Sequence, residues 1–489
     1  MPYRPFERDQ SWLFPPSLEE LLPATHPARF VAAFVEALDP EDWRELGLAL
    51  TSPGDGAPSY HPRGLVSVWL YGFLTGVRTT RKLERACQES IPFLWLSGLQ
   101  QPDHNTLWRF YERHRERMQI LLKRTVRIAV GAGLIDLALQ AVDGTKIAGN
   151  AAKDRTFDAA GLAQLDRRID DAIAVLESRN AAGDEPDPPE LPEALAAPKA
   201  LRAKVHAAME QLRAEDGPKR INLTDPEATL MKGRQGFVAG YNAQAMVVAT
   251  ERDQATGATM RLITATAVTT DPDDHSSLLP MLEAAEAMLG TRPTLSLADG
   301  GYHSADNLTD CAQRNQIVLM PESQAKQVNE PYHKAQFVSD PTQDTYTCPE
   351  GQTLRFRYQT LREGRAPKRV YGAQGKICRA CPAFGLCTKN RNGRRLETVS
   401  DEPSLVAQRE RMRTAAAKAG YRHRKELVEL VFGLIKDQQG GRRLWLRGLA
   451  KVQAEWTCLA VGFNLKTLAR AWARRTGMAQ QALVGLPAA

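Results

Sequence analysis

The chain has 489 residues, 43% hydrophobic and 25% charged, with 30 Pro and 35 Gly. That length suggests two or three units with a sizeable core, and no stretch reaches the roughly 18 uninterrupted apolar residues of a membrane span. The formal charge of +7 is unevenly placed: 28 Lys and Arg face 9 Asp and Glu from Gly351 onward, against 36 and 48 before it, so the last third is built for a polyanion.

The N-terminus, MPYRPFERDQSW, is polar and charged and lacks the apolar stretch of a secretory signal. A cytoplasmic protein is expected. Residues 1–130 read as a helical N-terminal domain, with apolar residues at three- and four-residue spacing in Pro27–Leu38, Pro62–Thr75, Thr79–Gln88 and Asn105–Ala129. Arg78, Arg81, Lys82, Arg85, His104 and Arg109 in this region form a candidate DNA-reading surface. Residues 131–150 hold the first strand, Leu139–Ile147.

An insertion follows at 151–230. Leu162, Leu165, Ile169, Ile173 and Leu176 make one amphipathic helix and Leu201, Val205, Met209 and Leu212 another, separated by the acidic, Pro-rich GDEPDPPELPEA. From 231 to 322 the pattern becomes α/β. Strands at Gly240–Ala249 and Met260–Val268 are joined across Asp253–Gly257, then helix Ser276–Leu289, strand Thr294–Ala298, helix Ser304–Asn315 and strand Ile317–Met320. Residues 323–408 form a basic, Cys-rich insertion, and 409–476 close the chain with long helices before a tail at 477–489.

Asp143 and Asp299 each follow an apolar strand and precede glycines, in VDGTKI and LADGGYHSADN. An acid at the end of a buried strand is costly without a partner. Glu429 lies in the helix YRHRKELVELVFGLIKDQ, whose buried face is expected to be Leu427, Leu430, Val431, Leu434 and Ile435. Three acids of this kind suit two Mg²⁺ ions, which take oxygen ligands and leave the rest to substrate phosphate. Of seven cysteines, Cys348, Cys378, Cys381 and Cys387 cluster, and the CxxC at Cys378 and Cys381 is half of a tetrahedral zinc site.

Taken in order, VDGTKI, TDPEATLMKGRQGFVAGYNAQ, LADGGYHSADN and YRHRKELVELVFGLIK, with YHPRGLVSVWLYGFLTGVRTTRKLERACQES and PDHNTLWRFYERH upstream, resemble the DDE transposases of bacterial insertion sequences. The likeness runs over residues 10–470 and is nearest to the branch with a Cys cluster before the last acid. It implies an α/β protein: an RNase H-like mixed five-stranded core with a helical N-terminal DNA-end-binding and dimerisation domain, a helical-hairpin insertion and a small zinc-binding insertion.

The resemblance further implies Asp143, Asp299 and Glu429 as catalytic ligands of two Mg²⁺ or Mn²⁺ ions, and Cys348, Cys378, Cys381 and Cys387 as ligands of a structural Zn²⁺. It implies Lys146, Tyr302, His303, Arg422, Arg424, Lys425 and Lys436 as DNA contacts, with Tyr241, Asn242 and Gln244 also at family positions. The related pattern is Tyr, two residues, Arg, three residues, Glu, six residues, Lys. Tyr421 and Arg424 fall one residue early for Glu429, which leaves Glu426 as a rival. The expected partners are double-stranded DNA, both transposon ends with terminal inverted repeats and target DNA, bound by a homodimer. A nuclease without strand transfer and a non-catalytic DNA-binding derivative are the alternatives.

Overall fold

The computed structural model describes residues 17–51, 59–181, 190–215, 217–233, 236–250, 259–322, 330–340, 342–362, 365–398 and 403–475. The turn expected at Asp253–Gly257, residues 183–189 of the acidic tip and the tail at 477–489 lie outside the described residues. The chain divides into two units. The first combines Met1–Ala132 with Leu434–Leu446 and Ala450–Ala489, the second Gly133–Gly433 with Arg447–Leu449. No helix among the described residues is long and apolar enough to cross a membrane.

The first unit is helical. Helix Pro62–Thr75 begins with Pro behind a His61 cap and stops at Gly76 in the left-handed conformation. Its residues Leu65–Leu74 are all buried, as expected of a helix that is apolar on every side. Trp69 stacks on Tyr111 at 4.3 Å and donates to the Leu107 carbonyl at 3.3 Å. The C-terminal helix Leu449–Arg475 packs into the same unit: Asn464 donates to Thr125 Oγ1 at 3.1 Å, and Gln439, upstream of that helix, donates to the Phe73 carbonyl at 3.0 Å and to that of Leu459 at 3.2 Å.

Arg78 and Glu455 pair at 2.7 Å with side chains 3% and 4% exposed, so Arg78 is part of the core and not of a DNA-reading surface. The expected helix Asn105–Ala129 is interrupted, running as His104–His114 and Ile120–Gly131 with a tight turn, Arg117–Gln119, between.

The second unit is built on a six-stranded mixed sheet. Its strands are β1 (Ile135–Ala148), β2 (Thr229–Gly233), β3 (Gly236–Thr250), β4 (Arg261–Thr269), β5 (Leu295–Leu297) and β6 (Ile317–Leu319). β3 is flanked by β1 and β4, both antiparallel to it, and β2 also pairs with it. β1, β5 and β6 are parallel neighbours in that order. β2 is the strand the sequence reading did not contain. Helices Leu278–Leu289, Ala305–Gln313 and Pro403–Arg413 send Leu278, Met281, Leu282, Leu308 and Leu405 into one cluster with Val142, Met246, Ala265 and Val318 of the sheet. Behind β1 and β5, a buried amide–hydroxyl ladder links Gln140 Nε2 to Ser296 Oγ at 2.8 Å and Gln316 Nε2 to the same oxygen at 3.1 Å.

Two insertions interrupt this sheet. Helices Ala159–Ala181 and Glu190–Arg213 form the expected hairpin, closed by Leu162, Ile169, Ile173, Val205 and Ala208. The basic insertion is a second sheet with strands β7 (Val338–Asp340), β8 (Thr345–Thr347), β9 (Thr353–Arg362), β10 (Arg365–Gly372) and β11 (Arg395–Thr398), all antiparallel and paired in chain order. It carries a core of its own, Phe337, Tyr346, Leu354, Tyr371, Ala373 and Leu396, against which Cys348, Cys378 and Cys387 pack.

Candidate active site

Strand register brings the two aspartates together. β1 and β5 are parallel neighbours with Ala141 opposite Leu297. Asp143, within β1, and Asp299, just past β5, each lie two residues further on, side by side beyond the parallel pairing, where ligand sites of α/β sheets form. Each carboxylate accepts a nearby backbone N–H: Asp143 from Gly144 at 2.9 Å and Asp299 from Gly301 at 2.7 Å.

Arg424, from helix Ala415–Gln438, places one guanidinium nitrogen 2.8 Å from Asp143 Oδ1 and 3.5 Å from Asp299 Oδ2. The residue is 7% exposed. This explains the stripe that the helix buries, which is Arg424, Leu427, Val428, Val431, Phe432 and Ile435, with Leu430 turned out at 47%. The expected face, which included Leu430 and Leu434, is rotated from this one, and Arg424, expected as a DNA contact, lies on the buried side.

A third acid lies beside the pair. Asp274 Oδ1 accepts from Asn242 Nδ2 at 2.6 Å and Gln244 Nε2 at 2.7 Å, and Lys146 Nζ approaches it at 3.4 Å. β3 supplies the two amides because Asn242 and Gln244 pair with Lys146 and Gly144 of β1. Gly144 is required at its position: a Cβ there would lie 2.4 Å from both Asp274 Oδ1 and Gln244 Nε2. Burial pushes the Asp143 carboxyl up to about 7. Arg424 opposes that rise, and the charges of Asp299 and Asp274 add to it. Three acids and two cations thus share one end of the sheet.

Comparison with known families adds a separate finding. Residues 347–469 match the family model of the transposase DDE domain, and residues 16–113 match that of a transposase domain. The two matches support a DDE transposase of an insertion sequence. None of the curated proteins matches the chain. The matched segments include Glu429 and the clustered cysteines but not Asp143 or Asp299, whose pairing rests on the geometry above.

The other expected site residues are placed differently from one another. Glu429 and its rival Glu426 are exposed on helix Ala415–Gln438; Glu426 accepts from His423 at 3.3 Å, and Glu429 has no ion pair among the described residues. Neither is drawn in beside the two aspartates by any contact of the described residues. Arg422 and Lys425 are exposed on the same helix, and Lys436 lies two turns beyond Glu429. Arg424 faces the carboxylates rather than solvent. Tyr302 is fully buried and its hydroxyl donates to Gln244, which puts its ring in the core and not on a surface where a base could stack. His303 is half-buried, with Nε2 unbonded among the described residues, and burial lowers its pKa.

In the basic insertion, Cys348, Cys378, Cys381 and Cys387 line one cavity of about 20 Å³ together with Tyr332 and Arg394. Backbone N–H groups of Gln352 and Arg394 point at the sulfurs of Cys348 and Cys378, at 3.2 and 3.3 Å. As the side chains stand, however, no three His, Cys, Asp or Glu among the described residues gather closely enough to hold a metal ion. The donor chemistry fits a hard cation at the aspartates and a soft one at the thiols. Asp274, with its amide partners, is the participant that sequence reasoning missed.

Proposed function

We propose that this transposase cuts and joins DNA at the aspartate pair, with Asp143, Asp299 and Glu429 as metal-holding residues on an RNase H-like core. The observation that carries the reading is the pair of carboxylates on adjacent parallel strands, bridged by one buried guanidinium. The strand order supports it: three antiparallel strands, then two parallel ones, with one acid within β1 and the other just past β5.

Two Mg²⁺ or Mn²⁺ ions, when bound, supply Lewis-acid stabilisation of the phosphodiester and of the departing oxygen. The chain's own residues prepare for them. Burial and mutual repulsion make the carboxylates avid for positive charge, and Arg424 holds that charge in the structure described. Asp274 is kept in place by Asn242, Gln244 and Lys146, and in turn fixes the wall behind Gly144. Arg422 and Lys425, exposed and cationic, take the DNA backbone.

The chemistry balances without an energy source. In the first step water attacks the phosphorus at the element's end, the P–O3′ bond breaks, and the 3′-oxygen leaves as a hydroxyl. In the second, that hydroxyl attacks a target phosphodiester, forming one P–O bond as another breaks. Both ends of an element have to be joined, so the working form is a homodimer on double-stranded DNA. The four cysteines would hold a structural Zn²⁺, a reading supported by their shared cavity and the two N–H···S bonds.

The deciding experiment incubates the full chain and Mn²⁺ with a labelled duplex from the element's boundary and a circular target plasmid. Label transferred to the plasmid is expected, and neither Asp299→Asn nor Glu429→Gln should cut. Cutting without transfer would leave a nuclease on the same core. Normal cutting by Asp299→Asn would remove the site assignment.

A further inference from the structure

The loop between Cys381 and Cys387 exposes more apolar surface than its packing explains. Leu386 is 81% exposed, the highest value among the exposed large hydrophobic residues described, and Phe384, two residues before it, is 37% exposed. Burying a leucine side chain is favourable, so leaving it in water forgoes that stabilisation.

The loop is also pinned. Phe384 N–H donates to the Cys381 carbonyl at 3.0 Å, Gly385 to Thr388 at 3.0 Å, Leu386 to Ala383 at 3.1 Å and Cys387 to Ala383 at 2.9 Å. Gly385 takes a φ of 96°, which a side chain would resist. Ala383, at 3% exposure, roots the loop in the insertion. Leu386 is therefore presented by a fixed turn, and little chain entropy remains to be lost on contact.

Charge identifies what the turn meets. Residues 374–395 contain six cations, Lys376, Arg379, Lys389, Arg391, Arg394 and Arg395, and no acid. All but Arg394 are exposed. An apolar tip among these cations, with Glu350 on the wall of the adjoining cavity, suits a polyanion with an apolar interior, which is a description of duplex DNA. The unstacking that apolar wedges cause between base steps is offset by the added contact with the bent duplex, here through those cations and the counterions they release.

We propose that Leu386, backed by Phe384, is a wedge that opens a base step of the bound DNA while the surrounding cations hold the backbone. This rests on the DNA-processing reading above and deepens it, from a basic knob against phosphates to a device that distorts the duplex.

The test uses the full chain and duplexes from the element's boundary, with 2-aminopurine placed at successive steps so that unstacking raises its fluorescence. The natural protein is expected to give a several-fold rise confined to one or two adjacent steps. Leu386→Ser should lose that rise and keep the salt dependence of binding, and Leu386→Phe should retain both. Arg391→Ala should keep the rise and flatten the slope of log K against log salt by about one. An undiminished rise in Leu386→Ser overturns the wedge. So does a change in the mass of the DNA-free protein in that variant by light scattering, because a second copy of the chain would then be the occupant of the tip. Failure of the natural protein to bind any boundary duplex removes the underlying DNA reading instead, and the wedge with it.

Discussion

Burial holds the Asp143 carboxyl at about 7, well above its ordinary 3.8, and this has a sign that can be checked. Between those values the folded chain keeps a proton that the unfolded chain releases, so metal-free stability falls as pH rises from about 4 to about 7. Asp143→Asn cannot release that proton. In chelator, its melting temperature should gain on the natural protein across that range, as differential scanning fluorimetry would show; parallel curves would contradict the burial argument.

Arg424→Gln leaves the two carboxylates without their counter-charge. The metal-free variant should melt lower, and its rise in melting temperature on adding Mn²⁺ should exceed that of the natural protein. Asp274→Asn disturbs only the support of the site, so cutting should drop by about 10–100-fold while melting stays close to normal.

Asp143 and Asp299 were legible in the sequence because an acid after an apolar strand and before glycine is conspicuous. Asp274 was not: it stands in TTDPDDHSSLLP among three aspartates, and nothing local separates it from Asp271 or Asp273. Only the pairing of β3 with β1, which aims Asn242 and Gln244 at one carboxylate, selects it.

At the scale of elements, the buried pair Arg78–Glu455 ties helix Leu449–Arg475 to the end of helix Pro62–Thr75 within the first unit. Glu455 also accepts the backbone N–H groups of Trp445 at 2.9 Å and Leu446 at 3.0 Å. Removing one partner strands a buried charge, so Arg78→Ala should cost about 3–5 kcal/mol in urea denaturation. The double variant with Glu455→Ala should cost less than the sum of the singles. An additive result would mean that the pair contributes nothing as a pair.

Helices followed from apolar spacing, which Pro27–Glu36 carries openly in Ala28, Val31, Phe34 and Val35, and central strands such as β4 from their short apolar runs. The second sheet did not. In β9, TLRFRYQTLR, apolar residues do alternate at Leu354, Phe356 and Tyr358, but the arginines between them drew attention to charge. The small aromatic core that the strand serves is assembled from segments 59 residues apart, Phe337 to Leu396, and no local pattern reports that.

Over the whole molecule, the net charge of +7 hides a basic last third and an acidic remainder. Duplex binding should weaken linearly in log K against log salt, with a slope of about −0.9 for each phosphate neutralised. That slope should survive Asp299→Asn, because the residues that bind are not those that cut.

The first unit is assembled from segments far apart in sequence, with Phe73 and Thr125 bonded to residues Gln439 and Asn464. Synthesis runs from the N-terminus, so the ribosome releases helix Pro62–Thr75 long before helix Leu449–Arg475 exists. Its apolar surface must wait, shielded or at risk of aggregation, until that later helix has been made. A prematurely terminated product would then be cleared as a misfolded chain, and would not persist as a shortened competitor for the same DNA.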